Sequence, residues 1–149
     1  MKIEQKITGY KVASPAEPSQ APKEVMHESV ERPEHLRGST YKLKTPLSDH
    51  SLYVTINDVL LNEGTDHEAF HPYEIFINSK EMEYYQWVTA LTRVISAVFR
   101  KGGDVHFLIE ELKSVADPKG SFWYKGKQVG SLVALIGGTI ETHLLRGAK

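Results

Sequence analysis

Two groupings of side chains have the composition of a site. His67 and His71 lie four residues apart, with Glu63, Asp66 and Glu68 beside them. Imidazole and carboxylate together suit Zn²⁺ or a similar ion. On a helix that spacing would place both rings on one face. This stretch instead reads as a loop ending at Pro72, where polar side chains are ordinarily just solvated, and the remaining ligands of a four-coordinate site are not specified. In the second grouping Lys119, Lys125 and Lys127 surround Phe122, Trp123 and Tyr124. Trp123, Tyr124, Lys125 and Lys127 could bind a nucleotide or a single nucleic-acid strand by stacking and phosphate contact. The competing expectation is a hairpin whose aromatics pack on the core and whose lysines keep its edge soluble. The charge balance of the chain favours the hairpin.

Catalytic arrangements are not found by motif, and no residue is assigned as catalytic. Asp49-His50-Ser51 is contiguous, so the three side chains point in different directions, and there is no Gly-x-Ser-x-Gly elbow. Gly102-Gly103-Asp104 precedes a helix, but Asp104 fills the cap position and would repel phosphate, which leaves a tight helix–helix turn. Tyr84, Tyr85 and Trp87 read as core or interface residues. No Walker, dinucleotide or zinc-protease motif occurs. With no cysteine among the 149 residues, thiol nucleophiles, thiolate metal sites, disulfides and thiol redox chemistry are all excluded.

The formal net charge of -1 argues against a general nucleic-acid binder. No apolar run is long enough to span a membrane. The charged start Met1-Lys2-Ile3-Glu4-Gln5-Lys6 lacks an apolar signal core, so the cytoplasm is the expected compartment. Hydrophobic residues at 40% and charged residues at 25% suit one packed domain.

Patterning divides the chain into segment 1–12, which alternates like a strand, a proline-rich flexible linker at 13–35, and a domain at 36–149. Within the domain, strands are expected over Ser39–Thr45, Leu52–Leu61 and Pro72–Asn78, joined by turn-rich links. Asn78 or Ser79, with Glu81, would cap a helix whose inward residues run from Tyr84 and Trp87 through Val94 to Phe99. Asp104 would cap a second helix with Val105, Leu108, Ile109, Leu112 and Val115 inward. Phe122–Tyr124 and Lys127–Val129 would pair around Lys125-Gly126. Ser131 would cap a last helix whose glycines, Gly137 and Gly138, cost up to about 1 kcal/mol each relative to Ala and imply close approach of another backbone. The expected class is α+β: a three-stranded antiparallel sheet, then three helices packed on one face, with a small hairpin before the last helix.

Four blocks carry a family likeness. They are Arg37-Gly-Ser-Thr-Tyr-Lys-Leu-Lys-Thr-Pro46, Leu52-Tyr-Val-Thr-Ile-Asn57, Pro72-Tyr-Glu-Ile-Phe-Ile-Asn-Ser-Lys80, and the run from Trp87 to Gly103. In order and spacing they resemble the TSCPD domain of adenosylcobalamin-dependent (class II) ribonucleotide reductases. More closely they are similar to the small subunit of split enzymes of that class. The likeness runs from about Leu36 to Leu145, and Ile7–Val12 resembles that subunit's start. One departure is plain: the Thr-Ser-Cys-Pro-Asp motif that names the domain is replaced here by Val129-Gly130-Ser131-Leu132, with no cysteine. Relatives commonly continue into a cysteine-rich tail, and thiol shuttling does not carry over to this sequence.

The resemblance implies an accessory, non-catalytic subunit that supports deoxyribonucleotide synthesis. The catalytic cysteines and adenosylcobalamin would lie on a partner chain, with no cofactor on this one. Docking would use a sheet edge or a helix face, and segment 1–12 could add to a partner's sheet. A homo-oligomer is compatible with these features. The alternatives are a free-standing nucleotide or single-stranded nucleic-acid binding module and, more weakly, a small metalloenzyme using His67 and His71.

Overall fold

The computed structural model describes residues 22–147 together with Gly9. Segment 1–12, Gly9 apart, and the first part of the linker therefore lie outside the described residues. Three strands come first: β1 (Arg37–Leu43), β2 (Leu52–Leu61) and β3 (Ala69–Asn78). They form an antiparallel meander in the order β1-β2-β3. Helices α1 (Tyr85–Lys101) and α2 (His106–Lys113) follow, then the hairpin β4 (Phe122–Tyr124) and β5 (Lys127–Val129), and last α3 (Leu132–Gly147). The expected α+β architecture is the observed one.

Alternation on β2 explains the layering. Leu52, Val54 and Ile56 are buried on one face, and Tyr41, Leu43, Ile75 and Ile77 join them from the flanking strands. The helices cover this face: α1 packs on β3, α3 reaches β2, and α2 packs on α3. Ile95, Phe99, Ile109, Ile136 and Ile140 fill the space between the layers. α1 also closes the outer edge of β3. Its Ser96 Oγ accepts from the Ile75 amide at 3.0 Å, so a backbone group that no neighbouring strand can reach is satisfied.

The sheet's other face is partly covered by residues 22–36, a stretch whose composition reads as linker. Met26 is buried there against Val59, Leu61 and Tyr73, with Val30 and Leu36 packed beside them. Val59 and Leu61 reach this face by the alternation of β2, and Tyr73 by an irregularity at Asn57/Asp58, where it is an extra residue on β3. The segment is also pinned by polar contacts. The Asn62 amide both accepts from and donates to the Glu24 backbone at 2.8 Å. Gly102 has φ +84°, and a Cβ at that position would collide with the Met26 carbonyl, so only glycine lets the segment pass.

Arg32 is the strongest of these pins. Its Nε and Nη2 donate to the two oxygens of Glu74 at 3.0 and 2.9 Å, and Asn57 Nδ2 donates to Glu74 Oε1 at 2.9 Å. The Arg32 hydrogen bonds hold the Glu74 carboxyl below its ordinary range; burial opposes this, and the Asn57 bond and the nearby Arg32 and Arg100 charges assist it. A depressed folded-state pKa contributes stability above the ordinary carboxylate value and loses it as pH falls through the lower folded value. Arg32 is half exposed, which discounts the pair. Glu74→Gln should therefore cost about 1 kcal/mol near neutral pH. Urea titrations from about pH 7 to about pH 3 should show wild type and variant converging at the acid end. A constant gap across that range would remove the ion pair from the explanation.

The start of α1 differs from the sequence expectation. Asn78 and Ser79 do not cap it; Ser79 Oγ instead accepts from Glu81 N at 3.1 Å in a local turn. The helix begins only at Tyr85, with no side-chain cap. Val115 falls beyond the end of α2 and is largely exposed. Gly102 and Gly103 make the tight turn between α1 and α2. The two glycines of α3 serve different ends. A Cβ on Gly137 would lie 2.9 Å from Leu112 Cβ and 3.3 Å from the Ile109 carbonyl, so that glycine allows α2 and α3 to approach closely. A Cβ on Gly138 would meet nothing within 4 Å.

Candidate functional site

The β4–β5 hairpin turns on Lys125 (φ +48°) and Gly126 (φ +77°), the two-residue geometry that matches strand twist. Alternation then fixes its side chains. Phe122 enters the core, Trp123 stands outside at 69% exposure, and Tyr124 is half-buried. The hairpin is held at its base, where Asp117 N donates to the Gly130 carbonyl at 2.9 Å. Ser131 caps α3 as expected: its Oγ accepts from Ala134 N at 3.0 Å and donates to the Val115 carbonyl at 2.6 Å.

Between this hairpin, α3 and β1 lies a groove of about 450 Å³. Tyr124, Lys125 and Lys127 line it, as does Lys113 from α2. Trp123 does not. The structure thus brings together three of the four residues singled out from sequence and leaves the fourth on the outer side of the hairpin. α3 presents Gly138, Glu141, Thr142 and Arg146 to the groove, at the three- and four-residue spacing of one helix face. Lys113 pairs with Glu141 at 3.1 Å. That contact, together with Glu110, holds the lysine's pKa above its usual range. The Arg146 guanidinium lies 5.4 Å from the centroid of the Tyr41 ring, and Lys125 Nζ lies 5.4 Å from that of Tyr124.

Tyr41 is fixed from behind. Its hydroxyl lies 2.9 Å from His143 Nδ1, and His143 Nε2 lies 2.8 and 2.9 Å from the two oxygens of Asp58. A carboxylate accepts, so Nε2 carries the hydrogen; with a neutral ring, Nδ1 accepts from the tyrosine. His143 is buried within the apolar face of α3, and its ring meets that of Tyr41 edge-on. None of Tyr41, Asp58, His143, Lys113 and Arg146 was singled out from sequence. The available signals were an imidazole on an apolar helix face and a carboxylate interrupting the apolar alternation of β2.

The other candidates are dispersed. His67 lies exposed in the β2–β3 loop, while His71 sits on β3 with Nδ1 2.7 Å from the Pro72 carbonyl. Among the described residues, no three histidine or acidic side chains gather where one ion could be held. Asp49, His50 and Ser51 border a shallow depression at the end of the sheet with no hydrogen bond between their side chains. No helix is long and apolar enough to cross a membrane among the described residues.

A second surface lies on α1. Tyr84, Trp87, Leu91, Val94 and Val98 recur at spacings of three and four residues. Val88, Thr92, Ile95 and Phe99 occupy the face turned to the sheet. Leu91 and Val98 are half-buried, but Tyr84 and Val94 are exposed and Trp87 is 69% exposed. The apolar arc of α1 is therefore wider than the sheet can cover.

Fold and surfaces together give an α+β domain with a basic groove and an uncovered apolar stripe on α1. The chain belongs to the TSCPD domain family, whose model matches residues 19–144. That domain is found in B12-dependent ribonucleotide reductases. No curated protein and no solved structure matches the chain.

Proposed function

We propose that this chain is an accessory, non-catalytic subunit of a B12-dependent ribonucleotide reductase, acting by binding the catalytic chain. The α1 stripe carries the reading. A row of apolar side chains at heptad-like spacing, open to solvent on a stable helix, is what one half of a helix-mediated interface looks like alone. Membership of a family found in B12-dependent ribonucleotide reductases supports such an enzyme as the kind of partner. Absence of cysteine fits a division of labour in which the thiol chemistry and the adenosylcobalamin belong to the partner.

Co-expression with a class II catalytic chain tests this. The two should co-purify, and Trp87→Asp combined with Val94→Asp should weaken the complex about a hundredfold or more, since buried aromatic anchors dominate interfaces. Both positions face solvent in the isolated chain, so its melting temperature should hold. Absence of co-purification, with no change in reduction rate or cobalamin affinity, would sink the proposal. Sedimentation of the chain alone shows whether the stripe instead joins two copies.

A further inference from the structure

We propose that the groove between the β4–β5 hairpin and α3 binds a small phosphorylated ligand with a flat apolar portion, the chemistry of a nucleotide. This stands independently of the docking surface on α1, which belongs to a different helix. Four cations, Lys113, Lys125, Lys127 and Arg146, reach the groove from α2, the hairpin and α3. Glu141 and Glu110 both engage Lys113, at 3.1 and 3.7 Å, which leaves Lys125, Lys127 and Arg146 as the uncompensated charges. Among the described residues, Lys125, Lys127 and Arg146 have no carboxylate within 4 Å. In a chain of net charge -1 this is a local excess of positive charge rather than a general one.

The remaining lining suits the other half of such a ligand. Leu43, Val129 and Leu135 give the groove an apolar floor, which an inorganic anion would leave unused. Its volume of about 450 Å³ lies in the range of small-molecule sites. Gly138 points the same way. Helix–helix packing accounts for Gly137 but not for Gly138, which borders the groove with open space where its Cβ would be. A missing side chain there lets a ligand approach the helix. The hydrogen-bonded set Asp58–His143–Tyr41 makes His143 a positioning residue for the groove wall. A nucleic-acid strand fits less well, because stacking of successive bases needs a second platform. Trp123, the aromatic that would provide one, does not line the groove.

The test is titration calorimetry on the full chain at about 50 mM salt, where phosphate contacts are least screened. The probes are ATP, inorganic pyrophosphate and a short single-stranded oligonucleotide. ATP should bind saturably, one per chain, and more tightly than pyrophosphate. Lys125→Glu with Arg146→Glu should weaken ATP about tenfold or more, the scale of a lost charged hydrogen bond. Gly138→Leu should block it in a chain that still melts cooperatively, whereas Trp123→Ala should leave it unchanged. No binding of ATP by the wild-type chain would overturn the proposal. So would pyrophosphate binding as tightly as ATP, or affinity indifferent to both the charge reversals and Gly138→Leu. Preference for the oligonucleotide, lost in Trp123→Ala, would replace the small ligand by a nucleic-acid strand.

Discussion

Phe99→Ala should lower the unfolding free energy by about 3–5 kcal/mol, the largest effect expected from any single truncation in this chain. Phe99 lies in the last turn of α1 with no solvent exposure, inside the cluster that also contains Ile95, Ile75 and Ile109. Truncation removes the ring's transfer free energy and leaves a hole bounded by both layers. The sheet cannot fill that hole by moving, because Ser96 fixes α1 to β3 one turn away. Against a typical stability of about 5–15 kcal/mol, the variant would be marginal at best. Val94→Ala, on the exposed side of the same helix, should stay within about 0.5 kcal/mol of wild type. Urea unfolding followed by circular dichroism and tryptophan fluorescence decides the matter. A Phe99→Ala loss below about 1 kcal/mol would mean that α1 does not pack as described.

The second large effect belongs to a polar group. Asp58→Ala should cost about 2–3 kcal/mol by leaving the buried His143 Nε2–H with no acceptor. Asp58→Asn keeps one acceptor oxygen and should cost less. Tyr41→Phe removes a single hydroxyl and should cost about 1 kcal/mol. Asp58→Ala combined with His143→Leu should be more stable than Asp58→Ala alone, because the buried imidazole is removed with its acceptor and only the half-buried Tyr41 hydroxyl loses a partner. Additive losses from Asp58→Ala and His143→Leu would show that the two side chains do not act as a pair.

What could be read from sequence follows from how local each signal is. β2 is legible because its alternation reports two faces directly. The hairpin is legible because Lys125-Gly126 sits between two short alternating runs, and α3 because Ser131 caps its own helix. Asn78 and Ser79 mislead because turn and cap use the same side-chain chemistry; only the chain's path after Ser79 separates them. Residues 22–36 look unable to pack because composition averages over a segment. Met26, Val30 and Leu36 are few, but each meets a place on the sheet, and Arg32 finds a carboxylate 42 residues away. In the groove, the residues on one hairpin were visible together. Arg146, Lys113 and Tyr41 were not, since their proximity is a product of the fold.

Most layers of this fold join elements that follow one another in sequence, β1 with β2, β2 with β3 and β3 with α1, or that are separated only by the small hairpin, α2 with α3. His143 is different, reaching Asp58 across 85 residues and Tyr41 across 102. Loops that close over short stretches form early and at small entropic cost. Closure around His143 joins the meander with α1 to the α2–hairpin–α3 part and carries the largest loop-closure cost of these contacts. Opening of that seam is the expected first large excursion from the native state; amide exchange in α3 no faster than in β2 would refute it. The groove takes its walls from both sides of the seam. It exists only in the closed form, so occupancy of the groove would act as a clasp, slowing the separation of the two halves.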